Sequence, residues 1–234
     1  MNPQPTVVVT GANSGIGRST ALLLAENGFK VFATMRSLSR GEKLRALASE
    51  HALDITELEI DVTDEVSVRD GFGQVLQEHG HVDVLINNAG IGSNAAIEDI
   101  DTHSDKNVFE TNFWGVIRCT QAVLPSMRER RSGHIVQISS IAGRVGLPGQ
   151  PIYSASKWAL EGLSENLAHD LSAHGIRVSI IEPGVTRTAI LGKNNDFPDN
   201  PAYRDTYQRM FDMYAAGIAA NIRPEAVADK ILAC

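Results

Sequence analysis

The 234 residues include only two cysteines, Cys119 and Cys234, too few and too far apart for a disulfide framework or a thiolate metal site. That usage fits a reducing, cytoplasmic setting. No apolar run approaches the roughly 18 residues that span a bilayer, and Met1 to Thr6 carries no basic region ahead of a signal core. The chain is expected to be neither secreted nor membrane-spanning. There is no excess of positive charge: 21 basic residues against 28 acidic ones leave a net charge of −7. Nucleic acid and other polyanions are thereby disfavoured as partners, and small molecules are favoured. No internal repeat, low-complexity tract or Pro/Ser-rich linker is present, so one domain over residues 1–234 is expected. His79 and His81 flank a glycine turn without further ligand types nearby, and no metal is expected.

What is present is ordinary globular composition, 43% hydrophobic and 21% charged, arranged in an alternating pattern. Short Val/Ile-rich runs at Thr6–Thr10, Lys30–Thr34, Thr56–Asp61, Val82–Ile86, His134–Ser139 and Arg177–Ile181 read as buried strands. Between them, Gly15–Asn27, Arg40–His51, Glu65–His79, Ser104–Arg130 and Tyr153–His174 carry Leu and Ala at helical spacing. Pro125 suggests a kink or early stop in the fourth helix, with a capped turn at Gly133. Successive βα units of this kind predict an α/β fold: a Rossmann-type doubly wound parallel sheet in three αβα layers. Ligands of such a sheet bind beyond the carboxyl ends of the strands, where the winding direction reverses.

The first strand runs directly into Thr10-Gly11-Ala12-Asn13-Ser14-Gly15-Ile16-Gly17, which opens a helix. That context makes the glycine spacing a dinucleotide fingerprint. Gly11 allows the sharp turn, Gly15 lets backbone approach a pyrophosphate, and Gly17 lets helix and sheet pack closely. Near the end of the second strand, where a carboxylate usually holds the adenosine ribose, stands Met35-Arg36. An Arg grips a 2′-phosphate that a carboxylate would repel, so NADP(H) is favoured over NAD(H). Asp61 in Ile60-Asp61-Val62 is a candidate acceptor for the adenine amino group. One of Asp61, Thr63 and Asp64 is equally a candidate N-cap for the helix at Glu65.

The chemistry is expected at Ser139-Ser140, ending the fifth strand, and at Tyr153-Ser154-Ala155-Ser156-Lys157 on the next helix. Tyr and Lys four residues apart share one helix face. A free Tyr titrates near about 10, too high for efficient proton exchange at neutral pH. One positive charge at about 4 Å contributes up to about 4 kcal/mol at an effective dielectric near 20, roughly three pK units before desolvation opposes it. Lys157 is therefore expected to draw Tyr153 toward working pH. Ser140 would hydrogen-bond the substrate oxygen, so that hydride movement at carbon is matched by proton movement at oxygen.

From Thr6 to Thr188 these motifs together resemble the single-domain short-chain dehydrogenase/reductase family, which shares the Thr-Gly-xxx-Gly-x-Gly turn. The resemblance implies a catalytic set of Asn112 (in Thr111-Asn112-Phe113, as a proton-relay Asn), Ser140, Tyr153 and Lys157, with Ser140 preferred to Ser139 by its spacing from Tyr153. It implies that Lys157 holds the nicotinamide ribose, that Asn87, Ala89 and Gly90 line the cofactor, and that Pro183, Gly184, Val185 and Thr188 contact the carboxamide. With these go Gly11, Asn13, Ser14, Gly15, Ile16 and Gly17 in the turn, and Arg36, Asp61 and Val62 toward the adenosine. Homodimers or homotetramers built on the long helices are implied as well. Asn112 is also read as a residue that satisfies buried backbone, and Pro183-Gly184 as an ordinary turn.

Ala33-Thr34-Met35-Arg36 and Arg223-Pro224-Glu225-Ala226-Val227-Ala228 are similar to the 17β-hydroxysteroid and retinol dehydrogenase branch, pointing to bulky apolar alcohols or ketones. A substrate-loop insert is expected at about Ala189 to Arg223. There Tyr203, Tyr207, Met210, Phe211 and Tyr214 form an apolar stripe that either closes over substrate or packs on the domain. Members of the family usually continue into a seventh strand, whereas this chain stops within the helical Glu225–Cys234 stretch. Either the sequence is truncated or the sheet ends on an exposed edge. Two rival functions are weighed. A module that senses NADP(H) would not need Ser140, Tyr153 and Lys157, and a 3-oxoacyl carrier-protein reductase would call for a basic docking patch that the net charge does not support.

Overall fold

The computed structural model describes residues 4–188 and 198–234. Alternation within the first strand, β1 (Thr6–Val9), sends Val7 and Val9 to one face and Val8 to the other, and all three are completely buried. A strand buried on both sides needs helices above and below it, which is the parallel-sheet arrangement. β2 (Lys30–Met35), β3 (Ile55–Glu59), β4 (Val84–Asn87), β5 (Gly133–Ile138) and β6 (Ile176–Ile181) complete a sheet of order 3-2-1-4-5-6, every neighbouring pair parallel. The chain winds outward from β1 to β3, returns to place β4 beside β1, and winds outward the other way. The expected double winding and its switch point between β1 and β4 are therefore present.

On one face α3 (Glu65–His79), α5 (Gly115–Arg130) and α6 (Pro151–Ser172) bury Phe72, Val75, Val123, Met127 and Leu171 against the sheet. On the other, α1 (Gly15–Glu26), α2 (Glu42–Glu50) and α8 (Pro224–Leu232) bury Ala21, Leu24, Leu44, Val227 and Ile231. α4 (Thr102–Phe109) and α7 (Arg204–Ala219) stand at the carboxyl edge. Among the described residues no helix is long and apolar enough to cross a membrane.

Three expectations need correction. Pro125 does not stop its helix: α5 runs on to Arg130 and ends on Arg131 in the left-handed conformation. Pro125 and Gln121 are both on the exposed side, where the carbonyl left without its helical N–H is open to solvent, while buried Val123 and Met127 hold the helix to the sheet. The long fourth helix is not uniform either, because Glu110–Trp114 forms one π-helical turn between α4 and α5. Asp61 lies beyond β3, which ends at Glu59. Asp64 alone caps α3, accepting from the N–H groups of Val66 and Ser67. Among the described residues β6 pairs only with β5 and forms one edge of the sheet, with Val178 to Ile181 half-buried.

Candidate active site

The cavity opens at the switch point and encloses about 420 Å³, the size of a small-molecule site. Its middle is the glycine turn. Gly11 and Gly15 adopt φ of +67° and +56°, conformations that disfavour any side chain. A Cβ on Gly11 would stand 2.8 Å from the Ala89 Cα, and one on Gly17 would stand 2.4 Å from Asn88 Nδ2 and 2.6 Å from the Gly11 carbonyl. The turn is thus locked onto the end of β4 by close approach. Thr10 strengthens the lock: its hydroxyl donates to the Ile86 carbonyl and accepts from the N–H groups of Asn88 and Ala89. At the start of α1 the Ser14 side chain makes no capping bond and the first turn holds no carboxylate. Those N–H groups, bordered by Asn13, Ser14, Gly15 and Ile16, are free to cradle an anion, so the residues present fit a pyrophosphate.

Beyond the ends of β2 and β3 the lining includes Met35, Arg36, Ile60, Asp61 and Val62. Arg36 is exposed and has no ion pair or side-chain hydrogen bond among the described residues. Arg40 joins it, carried to the rim by a 3₁₀ turn at Leu38–Arg40 that the sequence reading missed. The Asp61 carboxylate accepts from the Thr63 N–H and hydroxyl while still bordering the cavity.

At the other end β5 delivers Ser140, and the first turn of α6 delivers Tyr153, with Lys157 one turn on. Ser140 accepts from the Ala142 N–H at 3.2 Å and hydrogen-bonds Tyr153. The Lys157 ammonium donates to the Ile138 carbonyl at 2.9 Å and lies 5.9 Å from the Tyr153 ring centroid. Asn112, completely buried in the π turn, clasps Ile91 through both its carbonyl and amide ends and donates to the Ser156 hydroxyl. It borders the cluster from behind rather than lining the cavity: a Cβ on Gly90 would stand 3.3 Å from Asn112 Oδ1 and 3.8 Å from Lys157 Nζ. Ala89, Gly90, Pro183, Gly184, Val185 and Thr188 line the cavity. Asn87 does not. It ends β4 with its side chain turned to the Thr120 hydroxyl on α5, and Asn88 lines the cavity in its place.

Burial governs the electrostatics. The Lys157 amine is pushed down from 10.5 to about 8, with the Glu161 carboxylate one turn further along α6 opposing the fall. Glu161 is itself buried. Desolvation raises its pKa, and the Ser139 hydroxyl and the Arg144 guanidinium, 3.3 Å away, hold it down. Tyr153 runs against expectation. Burial raises its pKa above the ordinary value and the Ser140 hydrogen bond offsets this only in part. Burial of both groups outweighs the expected pull of the Lys157 ammonium, which also donates to the Ile138 carbonyl.

The apolar stripe of the insert mostly packs inward. Tyr207 and Met210 on α7 are buried against Ala96, and Phe211 turns outward at 44% exposure. Residues 189–197 of the expected insert lie outside the described residues. Tyr214 alone of the stripe reaches the cavity, beside Gln150 and Leu147. Gln150, Leu147 and Arg40 are site residues that sequence reasoning did not single out for the cavity, whereas Tyr214 belongs to the stripe read as closing over substrate or packing on the domain.

A doubly wound sheet with a phosphate turn and a Ser–Tyr–Lys cluster in one cavity defines a dinucleotide-dependent oxidoreductase of the alcohol/carbonyl class. The family model described as short chain dehydrogenase matches residues 5–199, and the chain belongs to that family. It is 40% identical over 209 residues to a 3-ketodihydrosphingosine reductase of Bacteroides thetaiotaomicron, covering 86% of this chain and 74% of that protein. Against retinol dehydrogenase 8 of Homo sapiens it is 42% identical over 192 residues, covering 80% of this chain and 61% of the relative. The chain thus spans about three fifths of that protein's length. A short-chain dehydrogenase crystal structure from Streptomyces avermitilis superposes with a TM-score of 0.89 at 35% identity, over 99% of this chain and 84% of that one. The family uses NAD(P)(H) and acts on small molecules.

Proposed function

We propose that the chain interconverts an apolar secondary or primary alcohol and its ketone or aldehyde with NADP(H), using Tyr153 as the acid/base. The observation that carries this reading is the shared cavity, in which Ser140, Tyr153 and Lys157 face the same space as the glycine turn and Arg36. A nicotinamide held there would supply or take up the hydride at the reacting carbon. Ser140 holds the reacting oxygen, and Tyr153, kept protonated by its burial, gives that oxygen a proton during reduction and takes one back during oxidation. Lys157, charged below about pH 8, stabilises the phenolate left behind and holds the nicotinamide ribose. Asn112 fixes the loop at Ile91 against α6 and so keeps Lys157 in register.

Arg36 and Arg40 together favour a 2′-phosphate, which supports NADP(H) over NAD(H). The names of the two relatives support a bulky apolar substrate. Trp114 and Trp158, 48% and 53% exposed next to α5 and on α6, support a homodimer or homotetramer built on those helices.

Purified protein mixed with NADPH and a panel of apolar ketones should consume the cofactor. Arg36→Ala should weaken NADPH binding by about tenfold or more while changing NADH binding little, as expected for a lost charge-assisted contact. A hundredfold preference of the wild type for NADH would overturn the reading of Arg36.

A further inference from the structure

Beyond Tyr153 the cavity ends in a polar cluster that hydride transfer does not require. Gln150, 3% exposed and the N-cap of α6, donates through one amide N–H to Asn94 Oδ1 at 2.7 Å and through the other to the Tyr214 hydroxyl. Both amide hydrogens are thus used, and the Tyr214 oxygen is occupied as an acceptor. Its own proton goes to Asn94 Oδ1 at 3.4 Å, long for an O–H···O bond, and that oxygen already accepts from Gln150 at 2.7 Å. Tyr214 and Tyr153 line the same cavity, and burial pushes the Tyr214 phenol up to about 12, with the charge of Tyr153 adding to that rise. Around them the wall includes Ile141, Leu147 and Val185.

We propose that Tyr214 is the specificity-determining contact for a second oxygen on the substrate, one placed on the α or β carbon beside the reacting carbonyl. The substrate class is then a hydroxyketone or dicarbonyl with an apolar remainder, rather than an isolated ketone. Gln150 is a positioning residue that acts through Tyr214. This inference rests on the proposed hydride-transfer reading. A substrate without the second oxygen leaves Tyr214 only its long contact, whereas one that carries it completes the cluster; discrimination of this kind is strong where a buried donor must be matched.

The test compares kcat/KM, with NADPH, for a straight-chain methyl ketone and for the same ketone carrying a hydroxyl on the α or the β carbon. The wild type should favour the better hydroxyketone by about 10- to 100-fold. Tyr214→Phe should reduce that ratio to within about threefold of unity, with NADPH binding measured by fluorescence to report the folded state. Should Tyr214→Phe fail to bind NADPH, Gln150→Leu provides the same comparison, since it removes the amide that orients the phenol. An unchanged ratio in the variant that binds cofactor, or no hydroxyketone preference in the wild type, would overturn the proposal. Turnover of neither ketone by the wild type would overturn the hydride-transfer reading and this proposal with it.

Discussion

Lys157 shows how one residue couples the site to the stability of the chain. Its folded pKa of about 8 lies below the ordinary 10.5, so between those values the unfolded chain binds the proton more readily. Stability therefore rises with pH from about 8, by up to about 3 kcal/mol over the full interval. Tyr153 has the opposite sign. Its raised pKa means that the unfolded chain loses the phenolic proton first, and the buried Cys119 thiol, pushed up from 9.0 to about 12, acts the same way from about pH 9, which caps the gain there. Thermal melting of the cofactor-free protein should thus climb between pH 8 and 9, and Lys157→Met should flatten that climb. A wild-type melting temperature that falls over this interval would show that the amine is not held in a desolvated position.

The turn between β1 and α1 is built on contacts that leave no room, whereas the cap of α3 is replaceable. A methyl group on Gly17 meets Asn88 Nδ2 and the Gly11 carbonyl below van der Waals distance. Gly17→Ala should cost roughly 1–3 kcal/mol and weaken cofactor binding, because the phosphate cradle must shift. Asp64→Ala should cost about 1 kcal/mol and leave cofactor binding alone. Denaturant melts with and without NADPH separate the two. Equal cofactor affinity in Gly17→Ala and wild type would contradict the locked turn.

The same elements show which parts of the site were legible in the sequence. The glycine turn and the Tyr153–Lys157 pair are local: spacing along one turn or one helix face fixes their geometry, and Val-rich runs reveal the strands between. Arg40 arrives through a 3₁₀ turn that no local spacing announces, and helical spacing put Tyr214 in the apolar stripe but could not announce its pairing with Gln150 across 64 positions. Asn88 replaces Asn87 because side-chain direction at a strand end depends on where the strand stops, and boundaries are the weakest part of any pattern reading. A π turn shifts hydrogen bonds by one residue without changing composition, which left the setting of Asn112 unseen.

At the scale of the whole molecule, double winding creates the crevice and decides which ends of the chain can meet in it. β1 supplies the glycine turn, β5 and α6 supply Ser140, Tyr153 and Lys157, and the segment after β6 adds Pro183, Gly184, Val185 and Thr188 to the same cavity. The exposed Trp114 and Trp158 predict self-association, so light scattering should give a mass of two or four copies. Trp158→Glu should shift it toward the monomer, and a monomeric wild type at micromolar concentration would contradict the reading of those helices.

The account depends most on proton exchange by a buried phenol beside the bound nicotinamide, and Tyr153→Phe removes that hydroxyl alone. The account predicts NADPH binding within about twofold of wild type together with a fall of about 10²–10⁴-fold in kcat for ketone reduction. Turnover within tenfold of wild type in that variant, at equal cofactor occupancy, would contradict it.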